Sequence, residues 1–459
     1  MFGASTGEIS PKHGGADSVR EGFDVCRRLG REARVRHGVV GPRSSALSER
    51  RTLARIYGWA LFVRVVVGLL AYGLTLYADL PIVEDARFYE EMGYTVAQDW
   101  LSGREVDFDS LPQGVQTAQL LVATIAVFYY VTGGVRALPL LLVGYSVVTA
   151  LVPIYVYRVA GELQAGDAVA RRAAWLVALS PAFVFWSGSL YKEGLTLLFL
   201  SIAAYHTLRL QSRGRARSLI TIVLCIVALW GVRFYLAIVL TLAVALGLFW
   251  GRVSHRRPSA GVPGFVRQAV VLAVFVAVII AVGTTVRADH VLFESDEGVL
   301  VNLDVRRAGS AREAGSGYLQ EAQIATRDEA LQYLPIGLFY FLTVPFPWQV
   351  GSYRQNLIIP ENAFWLTLYP LIGLGVSRAL RLNRRGTVFL VLLTGGMCVV
   401  YALLSANVGT TYRMRSQVWL LWAPFAAWGW EVWREHWRPA RRRGLGRGDS
   451  RAAMVRSLQ

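Results

Sequence analysis

The sequence predicts an all-α polytopic integral membrane protein with about ten to twelve transmembrane or partial helices. Of its 459 residues, 54% are hydrophobic, which is too apolar for a soluble domain of this length. Long apolar runs alternate with short arginine-rich linkers, as in membrane helices joined by basic cytoplasmic loops. The runs are 56–77, 115–132, 138–156, 173–190, 194–208, 218–250, 268–286, 331–347, 362–377, 387–405 and 416–433.

Polar segments flank the apolar region at both ends. Residues 1–54 are rich in Gly and Arg without hydrophobic periodicity, so we expect a disordered cytoplasmic tail. Residues 435–459 form a second, basic cytoplasmic tail. The predicted transmembrane domain is 55–434, and Arg64 in its first span is expected to face the protein interior or a polar groove.

The run 218–250 is too long for one span. As a single helix it would extend roughly 50 Å, whereas the hydrocarbon core is about 30 Å thick. The linkers on both sides are basic and are expected to be cytoplasmic, so the run crosses an even number of times. We therefore expect a hairpin of two short spans that turns at 231–235 and places Arg233 at the outer face.

Counting spans from a cytoplasmic N-terminus assigns the remaining segments. The basic linkers stay cytoplasmic only if 115–132 lies along the outer surface and 331–347 is a partial or re-entrant segment. The outer loops are then 78–137 and 287–361, each carrying surface helices. Within the second loop, 287–330 is polar and long enough to be functional or disordered.

An acidic stretch follows the first span. The packing of apolar helices gives no reason to concentrate carboxylates there. Asp85 is the candidate general base, with Glu84 as the alternate, and Tyr89 one helical turn on could orient an acceptor. The alternative is that both acids only charge the first turn of a surface helix.

Positive charge at the predicted outer face runs against the usual distribution and indicates an anionic ligand. A polyprenyl phosphate fits, because its tail lies in the bilayer and its phosphate binds Arg or Lys. Interfacial anchoring, snorkelling or a simple Lys–Glu pair is the rival interpretation for each residue. In addition to Tyr89, the candidate substrate-binding residues are Lys192, Glu193, Arg233, Arg354, Arg413 and Arg415.

Metal and nucleic-acid functions receive little support from the sequence. Asp107 and Asp109 have the spacing that holds a divalent cation in some transferases, so Mg²⁺ or Mn²⁺ stays open, although a solvated loop explains them too. Otherwise we expect no required cofactor, because the three cysteines and six histidines form no zinc motif. The net charge of +17 lies mainly in tails and short loops, so no nucleic-acid partner is expected.

The order of these motifs resembles the polytopic GT-C glycosyltransferases, which include aminoarabinose transferases and protein O-mannosyltransferases. Asp85–Tyr89 matches their D-x-x-x-Y motif after the first span, although E-D here replaces the common D-E. The segments YRVAGELQAGDAVARRAAWLVALSP, SPAFVFWSGSLYKEGL and YRMRSQVWLLWAP are similar to a cytoplasmic link, a proline-bearing span and the entry into the last span. The loop 287–330 has no counterpart in this comparison.

The resemblance implies a sugar transferase at the outer face of the cytoplasmic membrane. Its donor would be a polyprenyl-(pyro)phosphate-linked sugar, and its acceptor a hydroxyl of a lipid, polysaccharide or protein, with Asp85 as base in an inverting reaction. Membrane lipids would be its other partners. Two alternatives stay open: a lipid-linked saccharide transporter or flippase, and an enzyme resembling O-antigen polymerases or ligases. The latter would use the loop 287–330 and dispense with Asp85.

Overall fold

The computed structural model describes residues 42–78, 80–249, 298–313, 316–348 and 353–437, and in these ranges it is helical without β-strands. We number the helices of these ranges α1 to α15. The first eight are α1 Pro42–Tyr77, α2 Glu84–Leu101, α3 Gln113–Gln116, α4 Gln119–Val131, α5 Leu138–Thr149, α6 Val152–Glu162, α7 Asp167–Leu179 and α8 Pro181–Gly188. The others are α9 Lys192–Arg213, α10 Ala216–Phe249, α11 Val299–Glu313, α12 Arg327–Thr343, α13 Tyr353–Leu382, α14 Arg384–Leu404 and α15 Val408–Trp437.

The apolar helices confirm an all-α polytopic membrane protein. In the part of the chain that the structure describes, five helical stretches are long and apolar enough to cross a membrane, or six if the bent pair α7 and α8, which meet at 58°, counts as one span. The five are Leu47–Tyr77, Leu138–Glu162, Ala216–Leu248, Ile358–Leu382 and Arg384–Leu404. The apolar run 268–286 lies outside the described residues, and the total of ten to twelve stays a prediction.

The first helix starts earlier than expected. Chain contacts separate a unit Met1–Arg55 from the unit Ile56–Gln459. In the first unit the described part is helical from Pro42, within the segment predicted to be a disordered tail. Proline suits the first turn of a helix, and residues 43–55 contain helix formers such as Ala, Leu, Glu and Arg without glycine or proline.

Helix α10 folds back on itself where the sequence predicts a turn. Arg233 has a non-helical backbone, with φ −157° and ψ 83°, and separates two helical arms. The first arm starts just after the end of α9, and the second returns there, because Gln211 Nε2 donates to the carbonyl of Gly247 at 3.2 Å. Arg233 itself bonds Glu193 at the opposite end of α9. The fold-back at Arg233 is therefore confirmed, and membrane crossing by both arms stays a prediction.

Helix α9 defines two ends of the bundle, about 33 Å apart at 1.5 Å per residue over its 22 residues. Its first residues, the turn of α10 and the start of α15 meet at one end. At the other end Arg213 Nη2 lies 3.4 Å from Glu162 Oε1, and Arg172 forms an ion pair with Glu431. The arginines at the junction of α9 and α10 and those of α7 therefore lie at the end of the bundle opposite Arg233.

The core is centred on α15, which packs closely along α13. A Cβ on Gly375 would come within 1.9 Å of the Phe425 carbonyl oxygen, so only glycine allows the two backbones to approach there. Small residues serve the same purpose in membrane helix pairs generally. Trp365 of α13 stacks on Trp419 of α15 with ring centroids 4.7 Å apart. This stacked pair ties α15 to α13 six residues after Arg413.

Short helices occupy the two predicted outer loops. In 78–137, the 13-residue α4 extends only about 20 Å and packs against α2, where Gly93 lies against Ile125. In the second loop, α11 and the 17-residue α12 precede a break at 344–348. Helix α12 is not among the five candidate spans, in keeping with the partial segment predicted at 331–347.

Candidate functional site

A cavity of about 850 Å³ lies at the end of the bundle that contains the α10 turn. It brings together residues from segments far apart in sequence, including most of the predicted site. Its polar lining consists of Glu84, Asp85, Tyr89, Asp109, Gln116, Thr117, Gln119, Lys192, Arg233, Tyr235, Arg306, Thr410 and Arg413. A cavity of this size holds a drug-sized ligand or larger.

Asp85 stands in the first turn of α2, at the edge of the cavity. Glu84 shares that turn, where the positive end of the helix dipole favours acidic side chains. The Asp85 carboxylate is 47% exposed, and its Oδ2 accepts a hydrogen bond from Arg413 Nη1 at 2.6 Å. The predicted base therefore faces the cavity already paired with a predicted phosphate-binding residue.

Tyr89 lines the cavity one turn after Asp85, as the i,i+4 spacing predicts. Burial, together with the nearby carboxylates of Glu193 and Asp85, raises the pKa of Tyr89 above its ordinary value. Both effects disfavour the phenolate. The side chain is therefore a neutral phenol that can donate or accept a hydrogen bond inside the cavity.

Arg413 is held by aromatic rings as well as by Asp85. Its guanidinium carbon lies 5.1 Å from the ring centroid of Trp186 and 5.3 Å from that of Tyr191. Such contacts attract cations to the negative face of the ring. Arg413 Nε also lies 3.9 Å from Oε1 of Glu193. The Arg413 guanidinium therefore contacts two carboxylates, those of Asp85 and Glu193, and the rings of Trp186 and Tyr191.

Glu193 is fully buried and connects two arginines behind the cavity wall. Its Oε1 accepts from Arg233, which also donates to the hydroxyl of Tyr235. Asp85, Arg413, Glu193 and Arg233 therefore form one continuous series, which we call the ion-pair chain. Sequence reasoning placed Glu193 among the substrate-binding residues, but its side chain orients arginines and does not line the cavity.

Lys192 lies beside the ion-pair chain and joins it to the loop between α2 and α4. Its Nζ donates to Thr117 Oγ1 at 3.0 Å and to the Thr117 carbonyl at 3.3 Å. These two bonds hold the ammonium at the cavity wall. Lys192, Arg233 and Arg413, which the sequence singled out separately, therefore meet around one space.

The rest of the cavity is apolar. One wall comes from both arms of α10 around Arg233, and the other from the end of α14 and the start of α15. These residues are Trp230, Val232, Phe234, Ile238, Val239, Leu242, Val400, Leu403, Leu404 and Met414. Leu242 is 56% exposed, so the apolar wall continues to the outer flank of the bundle. A ligand with a charged head and an apolar chain matches this lining.

Arg415 does not join Arg413 in the cavity, although both were candidate substrate-binding residues. It is fully buried, and its guanidinium donates to the carbonyls of Phe341 and Val344 at the end of α12. Residues two apart on a helix point to different sides, which separates the pair. Arg415 instead fixes the break after α12. The side chain of Arg354 lies outside the described residues.

The two aspartates of the 107–109 motif have different surroundings. Asp107 caps a short 3-10 turn by accepting from the backbone N–H of Asp109 at 3.0 Å. Asp109 lines the cavity and accepts from Gln119 at 3.3 Å. Among the described residues, no group of three or more His, Cys, Asp or Glu side chains is placed to hold a metal ion.

Sequence reasoning missed a buried carboxylate on α2. Glu90 is 1% exposed and accepts from Tyr129 at 2.6 Å and from Arg136 Nε at 3.0 Å. These bonds tie α2, which carries Asp85, to α4 and to the segment before α5. The sequence did contain one indication of this. Glu90 follows Asp85 by five residues, so on a helix it points to another side than the candidate base.

The second outer loop also contributes to the cavity. Helix α11 places Leu303 and Arg306 in the lining. The preceding residue Val305 is exposed, while Arg307 is buried and donates to the Leu319 carbonyl at 3.1 Å. This segment lacks the periodicity that would have predicted which of its arginines face a cavity.

Comparison with known proteins identifies no family for this chain. No protein-family model matches it, and no curated protein is significantly similar to it. The function is therefore argued from the cavity itself.

Proposed function

We propose that the protein is a membrane glycosyltransferase that moves a sugar from a polyprenyl-phosphate donor to an acceptor hydroxyl. The observation that carries the proposal is the cavity, which combines an exposed carboxylate, two arginines, a lysine and an apolar wall. Lys192, Arg233 and Arg413 suit a phosphate, and the wall ending at Leu242 suits the attached lipid. Asp85 then stands on the side where an acceptor would approach.

The distribution of charge supports an extracytoplasmic site in the cytoplasmic membrane. Arginines in the flanking helix ends surround the linkers after α6, α9 and α13 and favour a cytoplasmic location for these linkers by the positive-inside rule. The contacts of Glu162 with Arg213 and with Asn383, at 3.4 and 2.9 Å, bring these linkers together at the end of the bundle away from the cavity. The proposed donor is therefore borne by a lipid and not by a cytoplasmic nucleotide.

The proposed reaction is a single displacement at the anomeric carbon of the sugar. The acceptor oxygen forms a bond to that carbon while the bond from the carbon to the phosphate oxygen breaks. Asp85 takes the proton of the acceptor hydroxyl, and the bonding electron pair leaves with the lipid phosphate. Arg413, Arg233 and Lys192 stabilise the negative charge that develops on the leaving phosphate. Attack opposite the leaving group inverts the anomeric centre.

The test is transfer of a labelled sugar from a polyprenyl-phosphate donor in membranes containing Asp85→Asn. We expect transfer to fall by about 100- to 10,000-fold, the range for removal of a general base. Glu84→Gln is the comparison variant, because Glu84 lines the same cavity and is the alternate base, and we expect it to keep most of the transfer. Near-normal transfer by a well-expressed Asp85→Asn protein would overturn the assignment of the base.

A second candidate, an enzyme resembling O-antigen polymerases or ligases, is favoured by one observation. Arg306 and Leu303 of the second outer loop line the cavity, so this loop is placed to contact substrate. Such an enzyme would lose most activity with Arg306→Ala and little with Asp85→Asn. The glycosyltransferase proposed above shows the reverse order, so the two variants separate the candidates.

A further inference from the structure

The resting arrangement of Arg413 has a consequence for the base. Oδ2 of Asp85 already accepts from Arg413 Nη1 at 2.6 Å, so this oxygen is engaged when no phosphate is bound. The bond occupies one of the two carboxylate oxygens and holds the carboxylate toward Arg413. The same guanidinium is the nearest cation to the base, and it belongs to the set that would hold the phosphate.

Arg413 is supported without Asp85. The rings of Trp186 and Tyr191 lie within 5.3 Å of its guanidinium, and Glu193 Oε1 lies 3.9 Å from its Nε. Arg413 Nε is buried and has no hydrogen-bond partner among the described residues. A small rotation of the guanidinium away from Asp85 therefore leaves its ring contacts in place and gives Nε an opportunity to bond.

We propose that the donor phosphate and Asp85 compete for Arg413, so that donor binding releases the base. The inference rests on the proposed function and concerns the regulation of the same site. When the phosphate arrives, Arg413 turns to it and Oδ2 of Asp85 becomes available to the acceptor hydroxyl. Binding is therefore ordered, with the lipid-linked donor before the acceptor, and Oδ2 of Asp85 is withheld from other hydroxyl groups until a donor is present.

Competition predicts a specific pattern of binding. The probe is a long-chain polyprenyl monophosphate, titrated against the purified full-length protein in lipid nanodiscs. Asp85→Asn removes the competitor and should tighten binding about fivefold, which corresponds to about 1 kcal/mol, the upper range for a partly exposed ion pair. Arg413→Gln should weaken binding. In the Arg413→Gln background, adding Asp85→Asn should change affinity little, because no guanidinium is left to release.

Glu84→Gln separates competition from general charge. It removes the same charge from the same cavity, one residue away from the carboxylate that bonds Arg413. Equal tightening by Glu84→Gln and Asp85→Asn would overturn the proposal, as would tightening by Asp85→Asn that persists without Arg413. Thermal unfolding of each variant checks that the half-exposed site tolerates the changes.

The two levels of the argument fail differently. If the wild type binds the polyprenyl phosphate and transfers sugar, but Asp85→Asn does not tighten binding, competition is refuted and the glycosyltransferase stands. If the wild type neither binds the lipid phosphate nor transfers sugar, the proposed function falls, and this inference falls with it.

Discussion

The two ends of the bundle both concentrate arginines, but they hold them differently. At the end opposite the cavity, Arg213 is 49% exposed beside Glu162, and Arg171 is 43% exposed beside Asp167. At the cavity end, Arg413 is 22% exposed and Arg233 only 5%, both against buried carboxylates and rings. Exposed pairs tolerate mobility, whereas buried ones keep cations in fixed positions. The comparison indicates that the cavity end holds its arginines in positions preorganised for an anion, whereas Arg213 and Arg171 at the other end are largely solvated.

The largest expected difference concerns stability. Glu193→Ala removes the carboxylate that faces Arg233 in the interior and leaves a buried cation with fewer partners. We expect a loss of about 3–5 kcal/mol in the free energy of unfolding, as for other broken buried pairs. Glu162→Ala at the opposite end should cost less than about 1 kcal/mol, since its partner is half exposed. Reversible unfolding in mixed SDS micelles measures both, and similar losses would erase the contrast.

The next difference concerns activity. Arg413→Ala removes a cation that would stabilise the leaving phosphate, and transfer should fall by about 100- to 1,000-fold. Arg213→Ala changes an arginine at the opposite end and should leave transfer near wild type. Labelled-sugar transfer in membranes with matched expression is the measurement. A comparable loss from both variants would place the effect in folding or insertion, not in the cavity.

A smaller effect distinguishes two arginines of the cavity end itself. Arg415→Lys loses hydrogen bonds to the carbonyls of Phe341 and Val344, and we expect a loss of about 1–3 kcal/mol in the free energy of unfolding. Its apparent KM for the donor should stay near wild type. Arg413→Lys keeps the charge at the cavity and should raise that KM with little loss of stability. The reverse pattern would mean that Arg415, not Arg413, contacts the donor.

The smallest effect is expected at an exposed pair. Arg171→Ala removes an i,i+4 contact to Asp167 in which both side chains are about half exposed. The free energy of unfolding should change by about 0.5 kcal/mol or less. Unfolding curves that overlay those of the wild type, at low and high salt, are the expected result. A loss above 2 kcal/mol would show that this end is more rigid than its exposure indicates.

Features that depend on chain length and local periodicity were predictable. The hairpin in α10 followed from a run too long for one span between two basic linkers, and the turn at Arg233 confirms it. The placement of Asp85 and Tyr89 on one side of α2 followed from the helical repeat, and both line the cavity. These inferences needed only distances along one helix.

Features that depend on packing between distant segments were not predictable. The burial of Glu193 requires Arg233 from the hairpin and Arg413 from α15, which only the folded bundle brings together. The separation of Arg415 from Arg413 was predictable, because residues two positions apart on a helix point to different sides. Its carbonyl partners at the end of α12 were not predictable. The network of Glu90 with Arg136 also joins residues 46 apart.

The exposure of Leu242 at the end of the apolar wall has a consequence for kinetics. A lipid-linked substrate of this cavity would arrive sideways by lateral diffusion within one leaflet. Its effective concentration is then the number of donor molecules per area of membrane and does not depend on the volume of the suspension. Diluting the donor with inert phospholipid should slow the reaction, whereas diluting the whole vesicle suspension should leave the turnover of each enzyme unchanged.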